Sequence, residues 1–159
     1  MHLLLGIAFA NPAMNGTWTL DRAASEPVAP ILRAQGLTWL ERTLAEAGSP
    51  THTIEWRPEH AVVHVQSGWY ERVDDLPLDG VARRSTVARV GEVNVASEMV
   101  DGVLVTRAEL TLRDGAPAVL ESHRELVDAD TLRLTMRFAR QDSTSPEWLT
   151  AERIFLRQP

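Results

Sequence analysis

From Thr51 to the C-terminus, apolar and polar residues alternate in short runs rich in Val, Thr, Leu and aromatics. The runs cover 51–57, 60–67, 69–75, 83–89, 92–99, 103–112, 117–126, 131–139 and 148–157. Turn signals separate them: Pro58-Glu59, Ser67-Gly68, Leu78-Asp79-Gly80, Gly91, Asp101-Gly102, Asp114-Gly115 and Asp128-Ala129-Asp130. Asp-Gly between alternating runs predicts a β-hairpin, because both residues tolerate the positive φ of a tight turn. An earlier strand is expected at 15–21, where Trp18 and Leu20 share one face at a period of two. Between these regions the spacing is helical. Ser25 is a candidate N-cap, Pro27 sits near the start, and Val28, Ile31 and Leu32 form an i, i+3, i+4 stripe that stops at Gly36. Pro30 counts against this helix if it falls beyond the first turn. A second helix is expected from Thr38, with Trp39, Leu40, Leu44 and Ala47 on its apolar side and Gly48-Ser49-Pro50 as its stop.

About ten strands in meander order would leave a long open edge unless the sheet closes on itself. The predicted fold is therefore mainly β: a single closed ten-stranded antiparallel up-and-down barrel, with a helix-turn-helix lid between the first two strands. A barrel of that width is too wide for its own side chains to fill and should hold a ligand. Residues 15–159 form this one domain, and residues 1–14 are expected to be an apolar, leader-like or disordered tail. The tail opens MHLLLGIAFA and carries an A-x-A-like triplet, Ala8-Phe9-Ala10, as at the end of a secretory leader. Read as a leader it points to export, to a periplasm or beyond; read as a plain tail it leaves the cytoplasm open.

Composition narrows the chemistry. Apolar residues make up 44% and charged residues 24% of the chain, as expected for a folded globular domain. A formal net charge of −6 opposes a nucleic-acid partner. No segment has the roughly 20 apolar residues of a membrane span. Cysteine is absent, which removes disulfides, thiolate catalysis and Cys-based metal sites. All 16 basic residues are arginine, so lysine Schiff-base chemistry is excluded as well.

The order of elements resembles the intracellular lipid-binding proteins, the family of the fatty-acid- and retinoid-binding proteins within the calycin group that also holds the lipocalins. The residues that carry the resemblance are Gly16-Thr17-Trp18, the helical pair from Ser25 to Gly48 with Ala34-Gln35-Gly36 at its turn, Leu76-Pro77-Leu78-Asp79-Gly80, Arg113-Asp114-Gly115, Arg124-Glu125-Leu126 and Arg153-Ile154-Phe155. The resemblance covers residues 15 to 157 and implies a flattened barrel that carries a lipid without chemistry. It further implies that a C-terminal Arg-x-Tyr holds the ligand carboxylate, which places Arg153 at the head group and Phe155 where the tyrosine would be. The family's second buried arginine would fall on Leu112, with Arg107 as the substitute on the same strand. Trp69 aligns with a portal aromatic.

Read on their own, these residues keep alternatives. Arg153 offers a planar fork to a carboxylate if it points inward, but Ile154 and Leu156 on the other face are as buriable as Phe155. Trp69 is a gate or a packed core residue. Ile31, Leu32, Trp39 and Leu40 floor the lid over the cavity or simply pack. His60 and His64 share a strand face about 13 Å apart, too far for one ion, and no metal site is expected with His52. Glu121, His123 and Glu125 alternate on one face that should meet water. No nucleophile motif or phosphate loop appears. The reading is non-enzymatic binding of an apolar small molecule, a fatty acid or other lipid, without cofactor, by a monomer. The alternatives are an enzyme using a calycin pocket and an interaction module with a filled barrel.

Overall fold

The ten strands follow the alternation closely, and their register is what decides which residues face inward. The structure is a computed structural model describing residues 11–68, 70–87 and 90–159, without the side chains of Trp39, Leu44 and Ala47. The strands are β1 (Gly16–Asp21), β2 (Thr51–Arg57), β3 (His60–Ser67), β4 (Tyr70–Pro77), β5 (Arg83–Val87), β6 (Gly91–Val100), β7 (Val103–Thr111), β8 (Pro117–Asp128), β9 (Thr131–Arg140) and β10 (Leu149–Arg157). All pairings are antiparallel, and the sheet runs β4-β3-β2-β1-β10-β9-β8-β7-β6-β5. Asp101 and Gly102, with φ of 50° and 81°, supply the two positive φ values that a tight β6–β7 hairpin needs.

The expected hydrogen-bonded closure is not what the sheet shows. β4 and β5 end the strand order with no ladder between them among the described residues, so the sheet is open and strongly curled. The reason lies in the connection between them. The Gly80 N–H donates to the Ser97 carbonyl of β6 at 2.9 Å, which carries the chain across before β5 begins. β5 is also short and mostly exposed, and it pairs only with β6.

Two helices separate β1 from β2. The first, α1 (Ala29–Ala34), starts later than Ser25 suggests, and Pro30 falls in its first turn, where a missing N–H costs nothing. Ser25 instead joins β1 to β10: its hydroxyl donates to the Asp21 carbonyl at 2.5 Å and accepts from the Ile154 N–H at 2.9 Å. The second, α2 (Trp39–Ala47), begins at Thr38 with a full capping box: Glu41 N–H donates to Thr38 Oγ1 at 3.3 Å, and Thr38 N–H to Glu41 Oε2 at 2.7 Å. Glu46 of α2 accepts the N–H groups of Val28 and Ala29, capping the start of α1.

Two apolar clusters fill the ends of the curl. One gathers Met14, Trp18, Ile54, Trp56, Leu104 and Phe155 near the chain termini. The other packs Ile31 of α1 against Leu112, Ala116, Ala118, Phe138 and Ala151. Met136 touches both. Between them Val95, Thr106, Ala108, Leu120, Ser122 and Met136 face inward yet keep accessible surface.

Candidate functional site

A polar group sits on this otherwise apolar inner wall, and it is centred on Arg124. Register explains its direction: Arg124 pairs with Leu104 of β7 and Leu134 of β9, both buried, so its side chain shares their face. Only 5% of Arg124 is exposed, its Nε has no hydrogen-bond partner, and burial pushes its pKa down to about 10. Leaving a buried guanidinium N–H unpaired is costly, more so than for a neutral group.

Two further strands, β4 and β2, point polar groups at the same wall. On β4, Arg72 donates from Nε to Asp74 at 3.0 Å and from Nη1 to the Tyr70 hydroxyl at 3.4 Å. On β2, His52 is buried with its Nδ1 unpartnered, its ring 4.4 Å from that of Phe155 on β10. Burial first, then the charges of Arg124, Arg72 and Arg153, hold His52 well below the ordinary histidine pKa, so it is neutral. Trp56 adds a third unpartnered N–H deeper in the terminal cluster.

The residues expected from sequence separate. Arg153 lies on the inner face between buried Ala151 and Phe155, but it is half-buried at the lid junction, where its Nη1 donates to the Glu26 carbonyl at 3.0 Å. Phe155 is 2% exposed and packs in the terminal cluster. Ile31 of α1 is buried against Leu112, Phe138 and Ala151, and Leu32 is half-buried. Leu40 is 58% exposed and does not face inward; the next residue, Glu41, completes the cap of α2 and accepts from Arg113. The side chain of Trp39 and the whole of Trp69 lie outside the described residues.

Arg107 is a correction. It stands on the outer face, opposite Glu121, to which its Nη1 donates at 2.7 Å. Its neighbours Thr106 and Ala108 take the inward positions, since adjacent strand residues must point to opposite faces. Leu112 is buried in the cluster beside α1, and the arginine buried among the described residues is Arg124 of β8, not a residue of β7. The available signal was alternation: the pattern that sends Glu121, His123 and Glu125 outward sends Arg124 inward. The two concavities beside Arg107, about 500 and 590 Å³, lie on this outer wall. They contain none of the unpartnered buried atoms. His60 and His64 also face outward, against Asp75 and Glu71, opposite to His52, so the three histidines do not converge.

Solved structures share this architecture. Fatty-acid-binding protein 1 of Echinococcus granulosus is similar over 92% of this chain and 98% of its own, at a TM-score of 0.72 and 16% identity. The chain has the fatty-acid-binding-protein fold. Apo lipid binding protein 8 of Caenorhabditis elegans is similar over 94% of this chain and 98% of its own, with a TM-score of 0.72 and 15% identity. The REP1-NXSQ fatty acid transporter covers 92% and 96%, at 0.70 and 16%. No family model and no curated protein sequence matches the chain. At these identities the likeness is one of fold.

Proposed function

We propose that this protein binds and carries a fatty acid or a similar anionic lipid inside the curled sheet, without catalysing a reaction on it. The observation that carries the reading is Arg124, a buried cation whose Nε lacks an acceptor on a mostly apolar wall. A carboxylate is the ligand chemistry that suits it: two oxygens accept from a planar fork, and the pair cancels a charge that burial makes costly. Counting charges gives the same direction. Arg72 and Arg124 face Asp74, leaving one positive charge uncompensated before Arg153 at the lid is added. The acyl chain would lie along Val95, Ala108, Leu120 and Met136, gaining about 0.8 kcal/mol per methylene removed from water. On this reading the ligand completes the enclosure that the β4–β5 seam leaves open, α1 and α2 act as the lid, and one monomer holds one ligand.

Calorimetric titration of the full chain with dodecanoate and with dodecan-1-ol tests it. Replacing Arg124 by Gln should weaken the acid by roughly tenfold or more, as losing a charged hydrogen bond of about 1.5–3 kcal/mol requires. The alcohol should be almost unaffected. Equal losses for both ligands, or none for either, remove Arg124 from the head-group site.

A further inference from the structure

Arg124 is not the only interior group that lacks a partner: His52 is 6% exposed, and its Nδ1 is buried without a donor or acceptor. The groups around it are known. Within the sheet it is flanked by Trp18 of β1 and Val65 of β3, and the ring of Phe155 from β10 lies against it. The charged side chains acting on it are Arg124 from β8, Arg72 from β4 and Arg153 from β10. Asp74 and Tyr70 share the inner face of β4, and both are engaged with Arg72. Three guanidinium groups thus act on one buried imidazole, and Asp74, the carboxylate on the inner face of β4, is already paired with Arg72.

We propose that His52 is the second polar contact of the ligand head group, and that it takes up a proton from solvent when a carboxylate docks on Arg124. Burial disfavours the charged imidazole first and the arginines add to it; the carboxylate offsets the arginine part of that effect, and it gives an Nδ1–H an acceptor. The chain therefore binds an anionic lipid together with a proton, so that the ligand enters as the neutral sum of anion and H⁺. A neutral ligand leaves the field of the arginines in place and takes no proton. This rests on the reading of Arg124 as the carboxylate site.

The direction of the pH dependence follows from linkage. In the free protein the histidine pKa is depressed by burial and by the three arginines; in the complex it rises. Between the two values binding takes up a proton, and affinity for the acid strengthens by up to about tenfold per unit fall in pH. Below the lower value both states are protonated, and the dependence ends.

The test is calorimetric titration of the full chain with dodecanoate and with dodecan-1-ol, at one neutral pH, in phosphate and in Tris. These buffers differ widely in ionisation enthalpy. Proton uptake makes the apparent binding enthalpy for dodecanoate differ between them, whereas the enthalpy for the alcohol does not. His52→Gln should abolish the difference while retaining dodecanoate binding. A buffer-independent enthalpy for dodecanoate in the wild type overturns the proposal but leaves Arg124 in place, and so does uptake that persists in His52→Gln. If dodecanoate does not bind, or binds equally well to Arg124→Gln, the carboxylate site itself fails and the proposal with it. Ring-nitrogen NMR of wild-type protein labelled at histidine gives a readout that needs no variant. Saturation with dodecanoate should convert His52 to its doubly protonated form, and an unchanged neutral signal overturns the proposal.

Discussion

The guanidinium of Arg157 lies over the indole of Trp18, 4.2 Å from the ring centre, and so joins the last strand to the first. The same side chain donates to the carbonyls of Asn15 and Ala13, each at 2.7 Å, and to that of Ala129 at 2.9 Å. Trp18 in turn donates from Nε1 to the Met14 carbonyl at 3.0 Å. Arg157→Ala removes the stacking and leaves three carbonyls to water. It should cost about 2–4 kcal/mol, from charged hydrogen bonds of about 1.5–3 kcal/mol and a cation–π contact of about 0.5–2 kcal/mol that overlap in effect. Urea unfolding followed by tryptophan fluorescence measures it. A loss below about 0.5 kcal/mol, the scale of an ordinary surface substitution, would show that this latch is ornamental.

The helical pair is tied to the β7–β8 turn by Arg113, which donates to the Gly36 carbonyl at 3.2 Å and to Glu41 at 3.0 Å. Arg113→Ala should raise hydrogen exchange in α1 and α2 while changing global stability by less than about 1 kcal/mol, since the pair is exposed. The Thr38 N–H, and after it Arg113, holds the Glu41 carboxyl at about 2. Because the folded-state pKa is depressed, this support is present above the ordinary carboxylate range and fades only as pH falls toward 2. Wild-type protection factors in α2 should therefore persist at pH 4, and a collapse there would contradict the role given to Glu41.

Arg107 provides the contrast. Arg107→Ala leaves Glu121 with Arg137 at 3.2 Å and His123 at 3.3 Å, so the outer wall stays paired. Dodecanoate affinity should stay within about twofold of wild type, and stability within about 1 kcal/mol, as for other exposed ion pairs. A tenfold loss of the acid with the alcohol spared would return Arg107 to the head-group site.

Strand positions were legible because each hairpin is written locally. The Asp101-Gly102 dipeptide and the alternation on either side of it specify β6 and β7 without reference to the rest of the chain. Facing was legible only where one side of a strand is apolar. β8 carries Glu121-Ser122-His123-Arg124-Glu125, polar on both faces, so only the expectation that Glu121, His123 and Glu125 meet water points Arg124 inward, and the buried partners Leu104 and Leu134 settle it. β4 hides Arg72 and Asp74 in the same way, its inner face being as polar as its outer one. Leu40 misled for the opposite reason: an apolar residue at helical spacing is exposed. The open seam was out of reach too, since it depends on the Gly80 N–H choosing β6 over a continuing turn.

Eight of the nine ladders join strands that follow one another in the chain, and the ninth joins β1 to β10, pairing Trp18 with Arg157. The order of folding events is biased accordingly. Hairpins on either side of the seam can form early as two independent sheets, β2 to β4 and β5 to β10, each with low contact order. Uniting them requires β1 to bridge β2 and β10, and that bridge pairs residues almost the length of the chain apart, such as Trp18 and Arg157. Loop-closure entropy grows only with the logarithm of loop length, so the added thermodynamic penalty is modest. Its kinetic meaning is larger. The interior wall on which the proposed ligand would lie is assembled from both halves, with His52 on one and Arg124 on the other, so binding competence should be the last property a refolding chain acquires.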